Sequence, residues 1–281
     1  MKFTAACIQN SATPDVHHDI GVLTRLINEA AAQGARLIAT PEYCAGLDSK
    51  DGLLTPFETV EQEHPVIPAL ASLAVKHGAW ILIGSIGVRA RDGRILNRSI
   101  LLNSQGEIAA RYDKIHLFDV NLGDGKLYQE SAKIAPGVEA IVSPCMGGTI
   151  GLSICYDLRF AALYRSYAKA GANMLAVPAA FTKLTGAAHW HALNRARAIE
   201  NGAYVIAPGQ YGTLAGGSQC YGHSLIVDPW GRILADGGST EGVAVAEIDL
   251  AQVDLTRSRI ASLQHDRPYT VATHDTGVHR T

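Results

Sequence analysis

Long apolar runs and paired cysteines are both missing from this sequence of 281 residues. No stretch approaches the roughly 18 uninterrupted apolar residues of a membrane-spanning helix, so no membrane partner is expected. The first residues, MKFTAACIQN, have no long apolar segment after Lys2 and are typical of a strand, which argues against a secretory signal. The five cysteines are odd in number, widely spaced and without a CxxC pair. Reduced thiols in a cytoplasmic protein are therefore expected.

An excess of charge of either sign is also absent. Lysine and arginine number 24 against 26 acidic residues, and charged residues make up 18% of the chain. This near-balance argues against nucleic acid or an anionic membrane as the main partner. Apolar residues make up 47% of the chain, so a globular protein with a sizeable core is expected.

Helix-like and strand-like stretches alternate along the whole chain. Apolar residues at helical spacing predict helices from about Asp15 to Gly34 and over 65–77, 161–170, 187–201 and from about 249. Short or alternating apolar runs predict strands over 2–9, 35–40, 79–88, 95–103, 108–112, 140–143, 149–154, 174–178, 204–207, 224–227, 232–235 and 243–248. Hairpins interleaved with helices indicate an α/β fold with mixed sheets, layered as helix, sheet, sheet and helix. One domain over 1–281, with a C-terminal tail from about 264, is expected.

Two glycine-containing segments have no clear period. The segment 114–137 is predicted to be a long irregular loop, and such loops inside compact domains usually carry function. The segment 209–217 lacks the strand–GxxxxGK[ST]–helix context of a phosphate-binding loop, so it is predicted to be rich in turns.

Three groups that could take part in catalysis follow predicted strands. Cys155 follows the alternating run at 149–154, Glu42 follows the strand at 35–40, and Lys114 follows the strand at 108–112. Each has an ordinary alternative explanation, because free cysteine is usually buried and glutamate and lysine usually lie on the surface. Strand ends converge on one edge of a sheet, however. An acid, an amine and a thiol in equivalent positions therefore predict a common site.

Short motifs in a fixed order resemble the signatures of the nitrilase superfamily of carbon–nitrogen hydrolases: PEYC at 41–44, YDKIHLFD at 112–119, QES with a following PG in 129–137, and GLSICYDLRF at 151–160. The resemblance continues through TGAAHWHALNRARAIEN at 185–201 and YGHSLIVDPWG at 221–231. It extends from Lys2 to about Pro268. Any one tetrapeptide is weak evidence, whereas all of these motifs in this order are strong evidence.

This resemblance implies a four-layer α-β-β-α sandwich and a catalytic site of Glu42, Lys114 and Cys155, with Glu130 as a second carboxylate. In the implied mechanism, Glu42 takes the proton of Cys155 and a thioester forms with release of ammonia. Lys114 would hold the thiolate near neutral pH and stabilise the oxyanion together with the backbone N–H of Tyr156. Glu130 would position Lys114 and the substrate, and no cofactor is implied.

The motifs around the nucleophile also bear on the substrate, which is expected to be a small carboxylic-acid amide. Tyr156-Asp157 after the cysteine resembles the amidase side of the superfamily, whereas nitrile-cleaving members resemble a Cys-Trp-Glu pattern. Later motifs are similar to deaminated-glutathione amidases. The ω-amidases that act on α-ketoglutaramate and the N-carbamoyl amidohydrolases are the alternatives. Ala161-Ala162 departs from the Pro-Glu that such relatives tend to have, and a local change in the helix start is expected.

Residues at the same predicted sheet edge are expected to bind the substrate. The predicted pocket residues are Tyr156, Ala180, Phe181 and Thr185. A cation is expected to bind the acid end of the substrate, and Arg159, Lys183 and Arg195 are the candidates, although arginines in helices often serve in structural ion pairs.

The resemblance further implies a homodimer or larger assembly, joined near the helices that follow Cys155 and Ala187. Aromatic and apolar residues commonly anchor interfaces, and the candidates here are Leu163, Tyr164, Tyr167 and Trp190. The alternative is that these side chains belong to the internal core. A protein of another class, a non-catalytic binding subunit, would be favoured by loss of a catalytic residue, and none is lost.

A metal site is not expected from the 11 histidines. His189 and His191 are two residues apart in a predicted helix, where they point to different sides, unlike the i and i+4 spacing of HExxH. His17 and His18 are adjacent on another predicted helix. No local spacing is therefore typical of metal ligands.

Overall fold

Strands and helices alternate along the chain in a computed structural model that describes residues 1–50, 52–90, 92–123 and 127–272. The strands in chain order are β1 (Lys2–Gln9), β2 (Ala35–Ala39), β3 (Leu47–Lys50), β4 (Leu53–Pro56), β5 (Glu58–Thr59), β6 (Trp80–Arg89), β7 (Ile95–Leu102), β8 (Ile108–Asp113), β9 (Asp119–Asn121), β10 (Leu127–Gln129), β11 (Ile134–Ala135), β12 (Ile141–Cys145), β13 (Gly148–Leu152), β14 (Met174–Ala176), β15 (Tyr204–Ala207), β16 (Tyr211–Thr213), β17 (Gln219–Tyr221), β18 (Leu225–Val227), β19 (Ile233–Asp236) and β20 (Gly242–Asp249).

The helices show the predicted order, with one short helix, Lys183–Thr185, as an addition that was not predicted. They are α1 (Val16–Ala32), α2 (Val66–His77), α3 (Ala161–Lys169), α4 (Lys183–Thr185), α5 (His191–Asn201) and α6 (Ala251–Arg259). A π-helical turn over Gly186–Trp190 joins α4 to α5. Taken over the described ranges, no helix is both long and apolar enough to cross a membrane.

Two mixed sheets form the centre of the fold. In the larger one the strand order is β11-β7-β6-β2-β1-β20, with β8 paired to β7 and β5 paired to β6. Strands β1, β2 and β6 are parallel to one another, β7 is antiparallel to β6 and β8 but parallel to β11, and β20 is antiparallel to β1. The order in the second sheet is β12-β13-β14-β15-β18-β19, with a parallel centre and antiparallel edges. The mixed sheets confirm the prediction.

Alternation along each strand divides the core into two regions. Ala6 and Ile8 of β1 pack with α1 and α2, whereas Ala5 and Cys7 of the same strand pack toward the second sheet. The second core region also contains buried side chains of α3 and α5. The layers are therefore α1 and α2, the larger sheet, the second sheet, and α3 with α5. This is the α-β-β-α arrangement that the resemblance implied.

Local signals explain the ends of the first two helices. The side chain of Asp15 accepts hydrogen bonds from the N–H groups of His17 and His18 at 3.0 Å, which satisfies free donors at the start of α1. Leu23 and Leu26 are buried, and each contributes about 1.5–3 kcal/mol through the removal of apolar surface from water. α2 ends at Gly78, whose φ of 56° is favoured by a residue without Cβ.

Several predicted loops contain regular structure. The segment predicted to be irregular over 114–137 holds β9, β10 and β11, and its residues 124–126 lie outside the described residues. β16 lies within the segment predicted to be turns and pairs with β17, and β3 pairs with β4. These strands are only two to four residues long, too short to show a clear period in the sequence.

Two further predictions concern the start of α3 and the C-terminal residues. α3 begins at Ala161 without a proline and without a side-chain hydrogen bond at its cap, and the local change expected relative to the Pro-Glu relatives stays a prediction. After α6, residues 266–272 form no helix or strand, although Asp266 forms ion pairs with Arg165 and Lys169 of α3. Residues 273–281 lie outside the described part, and the single domain with a tail from about 264 stays a prediction.

Candidate active site

A buried group of charged side chains lies where β2, β8 and β13 end. The ammonium of Lys114 donates to Glu42 Oε1 at 3.0 Å and to Glu130 at 3.0 Å (Oε1) and 2.9 Å (Oε2). Lys114 and Glu42 are almost fully buried. Cys155 lies in the same site, with its thiol within the electrostatic influence of Glu42 and Lys114. The structure thus brings together the acid, amine and thiol that the sequence placed at separate strand ends.

Glu42 is held in place by neutral donors as well as by lysine. Its Oε1 accepts from Asn97 Nδ2 at 2.9 Å, and its Oε2 accepts from the backbone N–H of Ala180 at 2.8 Å. The side chain of Gln210 donates to the backbone carbonyls of Glu42 and Tyr43 at 3.1 and 2.8 Å. Both the carboxylate and its backbone therefore have fixed partners.

Two carboxylates close to one ammonium shape the charge of the site. Burial lowers the pKa of Lys114, but Glu130 and Glu42 raise it by more, so its pKa lies well above the ordinary value. Burial raises the pKa of Glu130, which Lys114 partly opposes. Lys114 therefore stays charged, and it cannot act as a proton-accepting base at neutral pH.

Cys155 occupies a sharp turn after β13. Its φ is 49°, a left-handed conformation that is uncommon for a residue with a side chain, and its N–H donates to the carbonyl of Pro178 at 2.9 Å. Burial raises the pKa of its thiol well above the ordinary value, and Glu42 raises it further, whereas Lys114 lowers it. Burial and Glu42 thus favour the neutral thiol more than the Lys114 ammonium favours the thiolate, and the expectation that Lys114 holds a thiolate near neutral pH stays a prediction.

Asp157 holds this turn in place through hydrogen bonds. Its carboxylate accepts hydrogen bonds from the N–H of Ile154 at 2.8 Å, from the hydroxyl of Tyr112 at 2.7 Å and from the N–H of His116 at 3.0 Å. Asp157 is fully buried. It thus links the residue before Cys155 to the segment that carries Lys114.

A cavity of about 250 Å³ opens beside the thiol. All four predicted pocket residues, Tyr156, Ala180, Phe181 and Thr185, line it. Further lining comes from segments that the sequence did not place there: Leu53 and Leu54 of β4, Phe118, Tyr128 and Gln129 near the β9–β10 hairpin, and Gly217, Ser218, Gln219 and Cys220 at β17.

The three candidate cations have different positions. Lys183 lines the cavity, as does Lys133, which sequence reasoning missed. Arg159 lies over the rings of Tyr156 and Phe181, at 5.9 and 5.3 Å from their centroids. Arg195 donates to the carbonyl of Gly231 at 2.8 Å, and neither arginine is among the residues that line the cavity, which favours the alternative of a structural role for Arg195.

This geometry agrees with the comparison to known families. A family model described as carbon–nitrogen hydrolase matches residues 4–258. This chain belongs to the carbon–nitrogen hydrolase family. The family and its amidase relatives make the protein a hydrolase of the amidase type.

Individual relatives of this hydrolase cover nearly its whole length. It is 40% identical to a deaminated glutathione amidase of Synechocystis sp., over 94% of this chain and 97% of that protein. The structure of Saccharomyces cerevisiae Nit3, a member of branch 10 of the nitrilase superfamily, is similar with a TM-score of 0.82 and 28% identity, over 92% of this chain and 94% of that chain. A variant amidase from Nesterenkonia sp. AN1 shows covalent addition of the acetamide moiety of fluoroacetamide at its active-site cysteine. Its TM-score is 0.78 with 25% identity, over 94% of each chain.

The predicted interface anchors are mostly core residues of the hydrolase. Tyr164 and Trp190 are 0% and 1% exposed within the single chain, Tyr167 is similarly buried, and Leu163 is partly buried against the same core. The expectation that the aromatic side chains anchor a dimer is wrong, since they are covered by their own chain. Their spacing on helices alone cannot distinguish the two roles.

Sequence reasoning missed Asn97 and Asp157 as parts of the site. Asn97 belongs to a polar stretch, Asn97-Arg98-Ser99, that interrupts the otherwise apolar strand β7, and that interruption is a signal that could have found it. In the sequence Asp157 stands out only as part of the CYDLR motif. The groups that donate hydrogen bonds to Asp157 cannot be identified from the sequence, because Tyr112 and His116 come close to it only in the folded chain.

Replacing Asp157 with asparagine is expected to lower the free energy of unfolding by about 2–3 kcal/mol, because hydrogen bonds to a buried carboxylate are lost or reversed. The turnover number should also fall, since Cys155 is no longer held in its turn. Urea unfolding and ammonia release measure the two effects. Asp254→Asn, on the exposed face of α6, is the matched control and should change stability by less than about 0.5 kcal/mol. Equal stability of the two variants would contradict the prediction.

Proposed function

We propose that this hydrolase cleaves the amide of a small carboxylic acid and releases ammonia through a thioester at Cys155. The observation that carries the proposal is the contact of Lys114 with both Glu42 and Glu130 beside a buried thiol. Lys114 is charged and contacts two carboxylates, so it cannot accept the proton of the thiol. Glu42 is therefore the group that we assign as the proton acceptor. A thiol with a raised pKa needs such a base in order to attack.

The proposed reaction has two halves. In the first, Glu42 takes the proton of Cys155 as the sulfur attacks the amide carbon, and then passes that proton to the nitrogen, which leaves as ammonia. In the second, Glu42 takes a proton from water as the water attacks the thioester. The C–S bond breaks, the acid leaves, and the thiol regains its proton.

The oxyanion that forms in each half requires donors already in place. The ammonium of Lys114 and the backbone N–H of Tyr156 supply them in the proposed mechanism. Glu130 holds Lys114 through two contacts of 3.0 and 2.9 Å, and its Oε2 is itself fixed by the N–H of Phe118 at 2.7 Å. Glu130 therefore acts in the proposal as a positioning residue for Lys114, with a role in placing the substrate.

The substrate we propose is deaminated glutathione or a close analogue. The name of the Synechocystis relative, deaminated glutathione amidase, supports this class. Lys133 and Lys183 both line the cavity and offer cations for the carboxylates of such a substrate. The apolar wall at Leu53, Leu54 and Phe181 suits the part of the substrate that carries no charge.

Ammonia release from a panel of four compounds tests the substrate. The panel is deaminated glutathione, α-ketoglutaramate, N-carbamoyl-β-alanine and a simple nitrile. We expect the highest kcat/KM for deaminated glutathione, at least tenfold above the others, and expect Lys133→Met with Lys183→Met to raise KM for it. Lys76→Met on α2, which contacts Asn28 and not the cavity, is the matched control.

Other outcomes of the panel have distinct meanings. Preference for α-ketoglutaramate would make the protein an ω-amidase, and preference for the carbamoyl compound would move it to another branch with the same four residues. Preference for the nitrile would contradict the amidase mechanism. Release of no ammonia from any compound would favour a non-catalytic binding subunit.

Two further proposals concern the cellular context. We propose a cytoplasmic location, supported by five cysteines that are all free thiols and all buried. We also propose a homodimer or larger assembly, supported by the family resemblance and by the exposure of Ile199 and Trp230 near α5. Gly231, the residue after Trp230, approaches Ile199 closely.

A further inference from the structure

Two histidines and an aspartate meet at a surface outside the cavity beside Cys155. His191 is the first residue of α5, His223 lies between β17 and β18, and Asp236 ends β19. One side-chain ligand atom of each lies within 4.8 Å of the other two. None of the three lines the cavity. The mechanism proposed above does not use this cluster.

The aspartate lies between the two imidazoles. Asp236 Oδ2 is 3.0 Å from His191 Nε2, and Asp236 Oδ1 is 2.9 Å from His223 Nδ1. A zinc ion bound at about 2.0–2.1 Å from each ligand holds neighbouring ligand atoms roughly 3.4 Å apart. Shifts of about 1 Å or less would therefore convert the hydrogen-bonded group into a set of metal ligands.

The surrounding contacts hold two of the three ligands in position. The N–H of Gly238 donates to Asp236 Oδ1 at 2.9 Å. The carbonyl of His223 accepts from Trp190 Nε1 at 2.7 Å, and the ring of Tyr221 stacks on His223 with centroids 4.5 Å apart. Such supporting contacts orient ligands and reduce the loss of conformational freedom on binding.

We propose that His191, His223 and Asp236 bind one Zn²⁺ ion, with water at the fourth position. Two neutral imidazoles and one carboxylate form a ligand set that zinc prefers. Each side chain is about one-third exposed, at 31%, 27% and 33%, so an ion can enter and leave. The expectation of no metal site considered only ligands close in sequence, whereas these three come from distant segments.

The bound ion would have a structural role. It would tie the start of α5 to the β17–β18 loop and to the end of β19. Trp190, which donates to His223, also packs on Phe181 with ring centroids 5.0 Å apart, and Phe181 lines the cavity. Zinc at the cluster would therefore brace the cavity wall without taking part in the chemistry.

Calorimetric titration with zinc chloride tests the site, using full-length protein that carries Cys155→Ala so that the catalytic thiol cannot bind the metal. We expect one equivalent of zinc and a rise in melting temperature. Asp236→Asn and His223→Asn should each weaken binding at least tenfold. Asparagine is chosen at 223 because the φ of 53° there is tolerated better by asparagine than by alanine.

Substituting Co²⁺ gives an independent readout, because the visible absorption of bound cobalt reports nitrogen and oxygen ligands. Replacement of the exposed pair His17 and His18 with alanine is the matched control and should leave zinc affinity and the cobalt spectrum unchanged. Circular dichroism confirms that each variant is folded. Absence of saturable binding, or equal affinity in all folded variants, would overturn the proposal.

Discussion

Replacing Cys155 with alanine is expected to lower the turnover number for ammonia release at least 10³-fold, because no other group at that position can form the thioester. The fold should persist, since the substitution removes one sulfur atom and leaves the left-handed turn and the Asp157 contacts in place. Steady-state ammonia release and circular dichroism measure the two properties. Trapping of the acyl group on the wild-type protein, detected by mass spectrometry, should disappear in the variant.

Cys220→Ala is the matched control for this experiment. Cys220 also lines the cavity and is buried, and burial raises the pKa of its thiol to about 12. It has no carboxylate or ammonium in hydrogen-bond contact among the described residues. We expect this variant to keep most of its activity. If Cys155→Ala retained wild-type turnover, the thioester mechanism would be wrong.

Replacing Glu42 with glutamine is expected to lower the turnover number by about 10²–10⁴-fold, the range typical of a lost general base. Glutamine preserves size but cannot take the proton of Cys155, and burial favours the protonated form of that thiol by raising its pKa. The NH₂ group of the new glutamine would also face hydrogen-bond donors. In one orientation it would face Lys114 and Asn97, and in the other the N–H of Ala180. Ammonia release measured at several pH values tests the effect.

A matched substitution separates this effect from a general change of charge. Glu139→Gln replaces an exposed glutamate and should leave activity unchanged. The Glu42→Gln variant is expected to lose about 1–3 kcal/mol of unfolding free energy as well, since a buried ion pair loses one partner while Glu130 still holds Lys114. More than a tenth of wild-type activity in a folded Glu42→Gln protein would exclude Glu42 as the base.

Local patterns in the sequence were sufficient for most helices and long strands. Strand-like apolar runs and turn signals placed β1 and β7 to within one residue, and Asp15 and Gly78 mark helix ends through contacts with their own neighbours. These signals are short-range, because helix and strand periods and caps involve residues only a few positions apart. The sequence did not predict the short strands β3, β4, β16 and β17. They are too short to show a period of their own and are defined by their pairing.

The position of the candidate site could be predicted from the ends of the predicted strands. Glu42, Lys114 and Cys155 each follow a strand, and strand ends share one edge of a sheet. The state of the thiol was not predictable in this way. Its pKa depends on how deeply the turn is buried and on the balance of Glu42 against Lys114. Those quantities exist only once the layers have packed.

The sequence by itself determined the order of elements, the layered α/β fold and the residues able to carry out thiol chemistry, because each follows from local period or from motif order. Only the tertiary structure decided which polar groups support them. Asn97 contacts Glu42 across 55 positions, and Asp157 contacts Tyr112 across 45. It also decided that Tyr164 and Trp190 are core residues and that His191 meets Asp236. Contacts between distant segments depend on sheet order and layer packing, and no local pattern encodes these.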